Sequence, residues 1–280
     1  MRYVRELLLE CYSPPSVEVA IVGHNQGRYA EGRIASIVRQ TLSARTIAYH
    51  DVASDDGSAD IASDLSRGAG IDFVAAPANR GKLHKSWLDI AAASDAAYFH
   101  IAEGDDDIAP TMLERCVAAL EAAPDAAYAF VGVEWIDEEG RPIADHLGYP
   151  PSVLGEDYAS GGEIPAKRML ASDFLVKNPV LSISSVLWRR EMLVKLLEDN
   201  ERAMNKLSFA YDWLLYIRAA RAGYSAVFVP ELLCRHRQHG SSFATRADLR
   251  RHRSEIEAIY ALEKARDLDS RRKDYLATIA

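Results

Sequence analysis

Residues 17–22 (VEVAIV) form an apolar, β-branched run. Residues 28–40 follow with Ala30, Ile34, Ile37 and Val38 at helical spacing. The alternation then repeats. A second strand reads over 47–53 and a helix from about Ser58 to Arg67. A third strand reads over 71–75, with a helix from about Lys82 to Ala93. A fourth strand spans 97–102, and Pro110 suits the first turn of the helix after it. Strand and helix alternating in units of about 25 to 30 residues predict a parallel sheet with helices on its faces. In such sheets ligands bind beyond the carboxyl ends of the strands.

The second half is less regular. A strand near 126–136 leads into a turn at Asp137-Glu138-Glu139-Gly140-Arg141-Pro142. Residues 141–179 are rich in Gly, Pro, Ser and Asp, with a short helical stretch around 165–172. So long an irregular segment in a compact protein is more often a functional lid than a spacer. A strand at 180–188, helices near 190–198 and 210–222, a strand pair near 225–236 and a closing helix at 248–266 complete the expected order.

Composition narrows the function classes. The 280 residues are 49% apolar and 26% charged, which excludes a disordered chain. Three cysteines (Cys11, Cys116, Cys234) are too few and of the wrong parity for a disulfide scaffold, and fit a reducing compartment. No stretch approaches the ~18–20 apolar residues of a membrane span. The N-terminal MRYVRELLLECYSPP carries Glu6 and Glu10, against a signal peptide. A net charge of −8 argues against a general nucleic-acid binder. Residues 246–280 hold nine Lys/Arg and seven Asp/Glu, so the rest of the chain carries −10. An acidic chain that handles an anionic ligand must concentrate cations locally or borrow a metal.

Three of the first four strands end in polar punctuation: Gly23-His24-Asn25-Gln26-Gly27, Ser54-Asp55-Asp56-Gly57-Ser58 and Glu103-Gly104-Asp105-Asp106-Asp107. One such cluster would be read as turn and cap. Adjacent carboxylates at neighbouring strand ends repel, and a divalent cation is the usual remedy. The spacing does not fit a calcium loop. Cys234, His236 and His239 lie within six residues, yet no second pair stands at zinc spacing, so zinc is set aside.

From about Val17 to Ser242 the chain resembles the family 2 glycosyltransferases, inverting enzymes of the GT-A fold. V-A-I-V-G-H-N resembles their first strand, S-D-D-G-S-A-D their D-D-G-S-x-D, and Asn79-Arg80-Gly81-Lys82 their N-x-G-K. E-G-D-D-D-I-A-P falls where they carry D-x-D and a proline. Tyr211-Asp212-Trp213 resembles E-D-W, and R-H-R-Q-H-G-S-S a late R-x-H-x-x-S.

The resemblance implies a GT-A type α/β fold, a Rossmann-like nucleotide-binding sheet with helices on both faces, fused to a smaller acceptor-binding half. The nucleotide-sugar half would span 14–125, the acceptor and catalytic half 126–245, and a helical tail 246–280. It implies that His24, Asn25, Asp55, Asp56, Glu103 and Gly104 contact the nucleotide, with Asp56 on the base and His24 stacked against it. Arg80, Lys82 and Lys85 would supply charge to the diphosphate. Asp105 and His239 would hold Mn2+ or Mg2+, with Asp106 in reserve. Arg237 and Ser241 would close over the diphosphate, and Asp212 would deprotonate the acceptor. Two positions depart from the pattern. Glu103 replaces the first Asp of D-x-D and is long enough to reach ribose or a metal-bound water; Tyr211 replaces an acid.

The implied reaction moves a sugar, expected from a UDP-sugar, to a glycan or glycolipid hydroxyl in cell-surface polysaccharide synthesis. The expected location is the cytoplasm, at the inner face of the membrane or free. Two alternatives stay open: a sugar nucleotidyltransferase of related fold, and an inactive nucleotide-sugar-binding module. The mixed-charge tail admits a surface helix, a dimer element or a membrane-peripheral foot.

Overall fold

In the computed structural model, residues 15–76, 83–240 and 249–279 are described. The expected alternation forms as β1 (Val17–Gly23), α1 (Gly27–Val38), β2 (Thr46–Val52), α2 (Ser58–Ala69), β3 (Asp72–Ala76), α3 (Leu83–Ala93) and β4 (Tyr98–Glu103). After β5 (Asp107–Ile108) come α4 (Met112–Ala122), β6 (Ala126–Ile136), β7 (Pro142–Asp145), α5 (Tyr149–Leu154), β8 (Gly162–Ile164) and α6 (Ala166–Ala171). The chain continues through β9 (Val186–Arg189), α7 (Arg190–Met204), α8 (Tyr211–Arg221) and β10 (Ser225–Arg237), then α9 (Leu249–Leu262) and α10 (Asp269–Ala277).

Side chains alternate across β1, and the core divides accordingly. Val17, Val19 and Ile21 face one cluster, with Ala30, Ile34 and Ile37 of α1 and Leu113, Cys116 and Leu120 of α4. Ala20 and Val22 face the other, with Trp87 of α3, Leu193 and Leu197 of α7 and Trp213 of α8. The sheet is therefore covered on both faces, as an apolar parallel sheet must be.

Ten strands join one sheet in the order β3-β2-β1-β4-β9-β6-β10-β5, with β7 beside β6 and β8 beside β10. β1 is parallel to β2 and β4, in a register that sets Gly23 opposite Asp51 and Val22 opposite Glu103. The three polar strand ends are thus level. β10 runs parallel to β6, while Cys234 and Arg235 pair antiparallel with Ile108 and Asp107 of β5. That pairing draws the end of β10 onto the acidic turn.

Three expectations need correction. The strand expected at 180–188 is a 3-10 turn (Ile183–Ser185) followed by β9, because Ser182 caps the turn by accepting from the Ser184 amide. The strand pair near 225–236 is one long strand, broken in register between Val229 and Leu232, where Pro230 offers no amide. The closing helix ends at Leu262, and a second helix follows at Asp269.

Candidate active site

The turn after β1 is locked to the turn after β2. Asn25 takes a left-handed backbone (φ 57°), and its side chain pairs reciprocally with Asp55. Asn25 Nδ2 donates to Asp55 Oδ1 at 2.8 Å, and the Asp55 amide donates to Asn25 Oδ1 at 3.0 Å. His24 is exposed, with Nδ1 held 2.9 Å from the Val52 carbonyl. Asp56 is exposed too, and accepts from the Ser58 amide at 2.9 Å at the start of α2. Hydrogen bonds from Ser58 hold its carboxyl below the usual range. One shelf therefore carries His24, Asn25, Asp55 and Asp56. Asp56 also serves the helix start, which accounts for part of its placement.

Gly104 is required sterically. A Cβ there would lie 2.6 Å from Gln26 Oε1 and 3.1 Å from the Gly23 Cα. Its amide donates to the Val22 carbonyl at 3.0 Å, pressing the acidic turn against the end of β1.

Three of the four carboxylates of this turn occupy different environments. Asp106 is fully buried and fully engaged. Its oxygens accept from the Arg237 amide at 2.9 Å and Ser182 Oγ at 3.0 Å, with His236 Nδ1 at 3.0 Å. Burial opposes its charge, but His236, Arg33 and these donors prevail and hold it well below the usual carboxylate range. Asp105 Oδ2 meets His239 Nε2 at 2.8 Å, both residues being nearly buried. Glu103 is pushed up to about 8 by burial and by Asp106 and Asp105. Burial works against charge on His236, yet Asp106, Glu103 and Asp105 raise it to about 9.

These groups suit a divalent cation. Two cis ligands on an octahedral ion with ~2.1 Å bonds stand about 3 Å apart, close to the Asp105–His239 separation. Ligand atoms of Glu103, Asp106 and His236 also lie within 4.8 Å of one another. Carboxylate with imidazole fits manganese better than magnesium, which prefers oxygen.

Asp212 stands in the first turn of α8. Asn178 Nδ2 donates to its Oδ2 at 3.3 Å. Burial pushes its carboxyl up to about 6, against hydrogen bonds from Trp213 and Asn178 and the charge of His236. Asp212 in turn raises Glu103, so this carboxylate of the second half and the acidic turn share one field.

Other expected residues are placed differently. Arg237, expected over the diphosphate, is clamped: Nε donates to the Asp105 carbonyl at 2.8 Å, Nη1 to the Asp137 carbonyl at 3.0 Å, and Nη2 pairs with Asp107 at 3.2 Å. It joins the acidic turn to the β6–β7 hairpin. Lys85, also expected on the diphosphate, pairs instead with Glu201 of α7 at 3.0 Å. Arg80, Lys82 and Ser241 lie outside the described residues. Sequence reasoning missed Ser182, Ser184 and Asn178. Ser184 Oγ accepts from the Glu103 amide at 2.9 Å. The S-I-S-S run was the available signal, hidden by reading 180–188 as a strand.

Residues 18–200 match the model of glycosyl transferase family 2. The chain belongs to glycosyltransferase family 2. Solved structures agree on the GT-A fold of this family 2 enzyme. S. aureus TarS 1-349 in complex with UDP superposes with a TM-score of 0.61 at 15% identity, covering 94% of this chain and 70% of that one. A longer S. aureus TarS chain is covered over only 42% of its length. The mannosyltransferase PcManGT from Pyrobaculum calidifontis, in complex with GDP-Man and Mn2+, gives a TM-score of 0.56 at 16% identity, covering 99% and 76%. No curated protein matches the sequence.

Proposed function

We propose that this glycosyltransferase moves a sugar from a UDP-sugar to a glycan or glycolipid hydroxyl by a single displacement with inversion. The observation that carries the reading is the half-buried Asp212, held by Asn178 in the first turn of α8 in the second half of the chain, with its charge reaching Glu103 of the acidic turn. The acceptor oxygen would form the new bond to the anomeric carbon as its proton passes to Asp212. The sugar–diphosphate bond breaks on the opposite face, and its electrons leave with the nucleotide. Asp105 and His239 would hold manganese or magnesium, which would supply charge neutralisation at the leaving diphosphate. His24 and Asp56 would take the base, with Asn25, Asp55, Glu103 and Gly104 shaping the rest of the nucleotide pocket. Arg237 acts through the clamp it forms.

Support for a uridine donor comes from the carboxylate shelf, and from TarS structures in complex with UDP and UDP-GlcNAc. A role in cell-surface polysaccharide synthesis in the cytoplasm belongs to the same proposal, with the tail as a peripheral foot or dimer element. No helix among the described residues is long and apolar enough to cross a membrane. A thermal-shift screen of nucleotide-sugars with and without manganese tests the reading. A donor at ~100 times its Kd should stabilise the protein by about 2.7 kcal/mol. No shift with any nucleotide-sugar would sink it.

A further inference from the structure

Arg33 of α1 is fully buried, and its Nε, Nη1 and Nη2 hydrogen bond to none of the described residues. A guanidinium does not give up its proton inside a protein, so a whole positive charge is enclosed there. Burying such a charge is costly unless negative charge lies near. The neighbourhood supplies it. A Cβ on adjacent Gly32 would lie 3.5 Å from Asp107 Oδ1, so this part of α1 rests against the acidic turn. The field of Arg33 favours the charged form of Asp106, disfavours charge on His100, and reaches Tyr49 and Cys234. These residues back the site. The Tyr49 hydroxyl lies under Gly23 and Gly104, Cys234 pairs with Ile108, and His100 Nε2 is likewise unpartnered among the described residues.

With no exposed atom, Arg33 is not placed to touch a substrate. It acts through its charge. We propose that Arg33 is the resident counter-charge of the acidic turn, so that the site disfavours a free divalent cation and accepts one arriving with the donor's diphosphate. This rests on the reading of Asp105 and His239 as the metal-holding pair. A bare cation meets the repulsion of the guanidinium along with the attraction of the carboxylates. A cation neutralised by a diphosphate escapes that repulsion. Salt screens a buried charge poorly, so the effect persists at ordinary ionic strength.

Manganese binding to the full chain, followed by the electron paramagnetic resonance of free Mn2+ with and without UDP, tests this. Arg33→Met should bind manganese alone roughly tenfold more tightly than wild type. With UDP present the gain should be smaller, and by linkage manganese should improve UDP binding by a correspondingly smaller factor. Arg33→Lys keeps the charge and should match wild type. The Met variant should melt lower than wild type, since the buried Asp106 loses the counter-charge that favours its ionised form; Arg33→Gln replaces it in the test if it does not fold. Equal affinity for free manganese in wild type and the neutral variants overturns the proposal, as does absence of manganese binding in all of them. If UDP fails to bind wild type, the donor reading falls, while the metal-only comparison still decides the role of Arg33.

Discussion

The carboxylate of Asp105 and the imidazole of His239, 134 residues apart in the chain, meet at 2.8 Å on the nearly buried floor of the site. One residue further on, Asp106 and His236 make a similar contact, but the Arg237 amide and Ser182 Oγ saturate it. The two pairs therefore have different duties. The first can exchange its mutual contact for an ion; the second ties β4, β10 and the 183–185 turn together.

Alanine substitutions should separate these duties. Asp106→Ala leaves His236 and two donors without their buried acceptor, and should cost about 3–5 kcal/mol of stability, read as a lower denaturation midpoint. Asp105→Ala should cost far less stability, yet abolish the tightening of nucleotide binding by manganese. A wild-type response to manganese in Asp105→Ala would remove Asp105 from the metal-holding pair.

Much of this site was legible as residue types at strand ends. The parallel β1–β4 register converts that pattern into level turns, which is why His24, Asp55 and Glu103 could be grouped in advance. Partnerships across the chain were not legible. Arg237 has the charge expected of a diphosphate ligand, but its hydrogen bonds depend on where the β6–β7 hairpin folds back. Lys85 finds Glu201 only because α3 packs on α7. The two-residue β5 is too short for periodicity, yet it fixes the position of β10 beside the acidic turn.

Gly104 supplies a steric test of how tightly that turn is set. In Gly104→Ala the Gln26 amide can swing away, but the Gly23 backbone at 3.1 Å cannot. Overpacking of this kind costs about 1–3 kcal/mol. The turn should also shift, weakening metal-dependent UDP binding more than stability alone would account for. Unchanged melting and unchanged binding would mean that the turn adapts freely.

The shelf of His24 and Asp56 predicts base selectivity. A carboxylate accepting from an imino N–H prefers uracil to cytosine, whose N3 carries no proton. Loss of that match should cost roughly 1–3 kcal/mol, measured as UDP against CDP affinity by calorimetry. Asp56→Ala should erase the preference and slightly lower the melting temperature through the lost bond at the start of α2. Equal affinities in wild type would reduce Asp56 to its helix-start role, and a preference for GDP would point to a mannose-type donor.

Asp212 makes the mechanism testable through pH. Its carboxyl is raised from 3.8 to about 6, chiefly by burial, so the basic form is lost as pH falls through about 6. Transfer should therefore rise with pH across that value and level off above it. Stability should move the other way. The folded state holds the proton more tightly than the unfolded chain, so ionisation of Asp212 weakens the fold as pH rises from about 4 to about 6. Asp212→Asn keeps the shape and the bond with Asn178 but removes the basicity. It should bind UDP as wild type does, lose the pH 6 limb, and transfer sugar 10²- to 10⁴-fold more slowly, about 3–5 kcal/mol of barrier. Its stability advantage over wild type should grow through the same pH interval. Transfer within a few-fold of wild type would leave Asp212 as a helix-start carboxylate, and the base would have to be sought at Glu103, whose own carboxyl is raised further still.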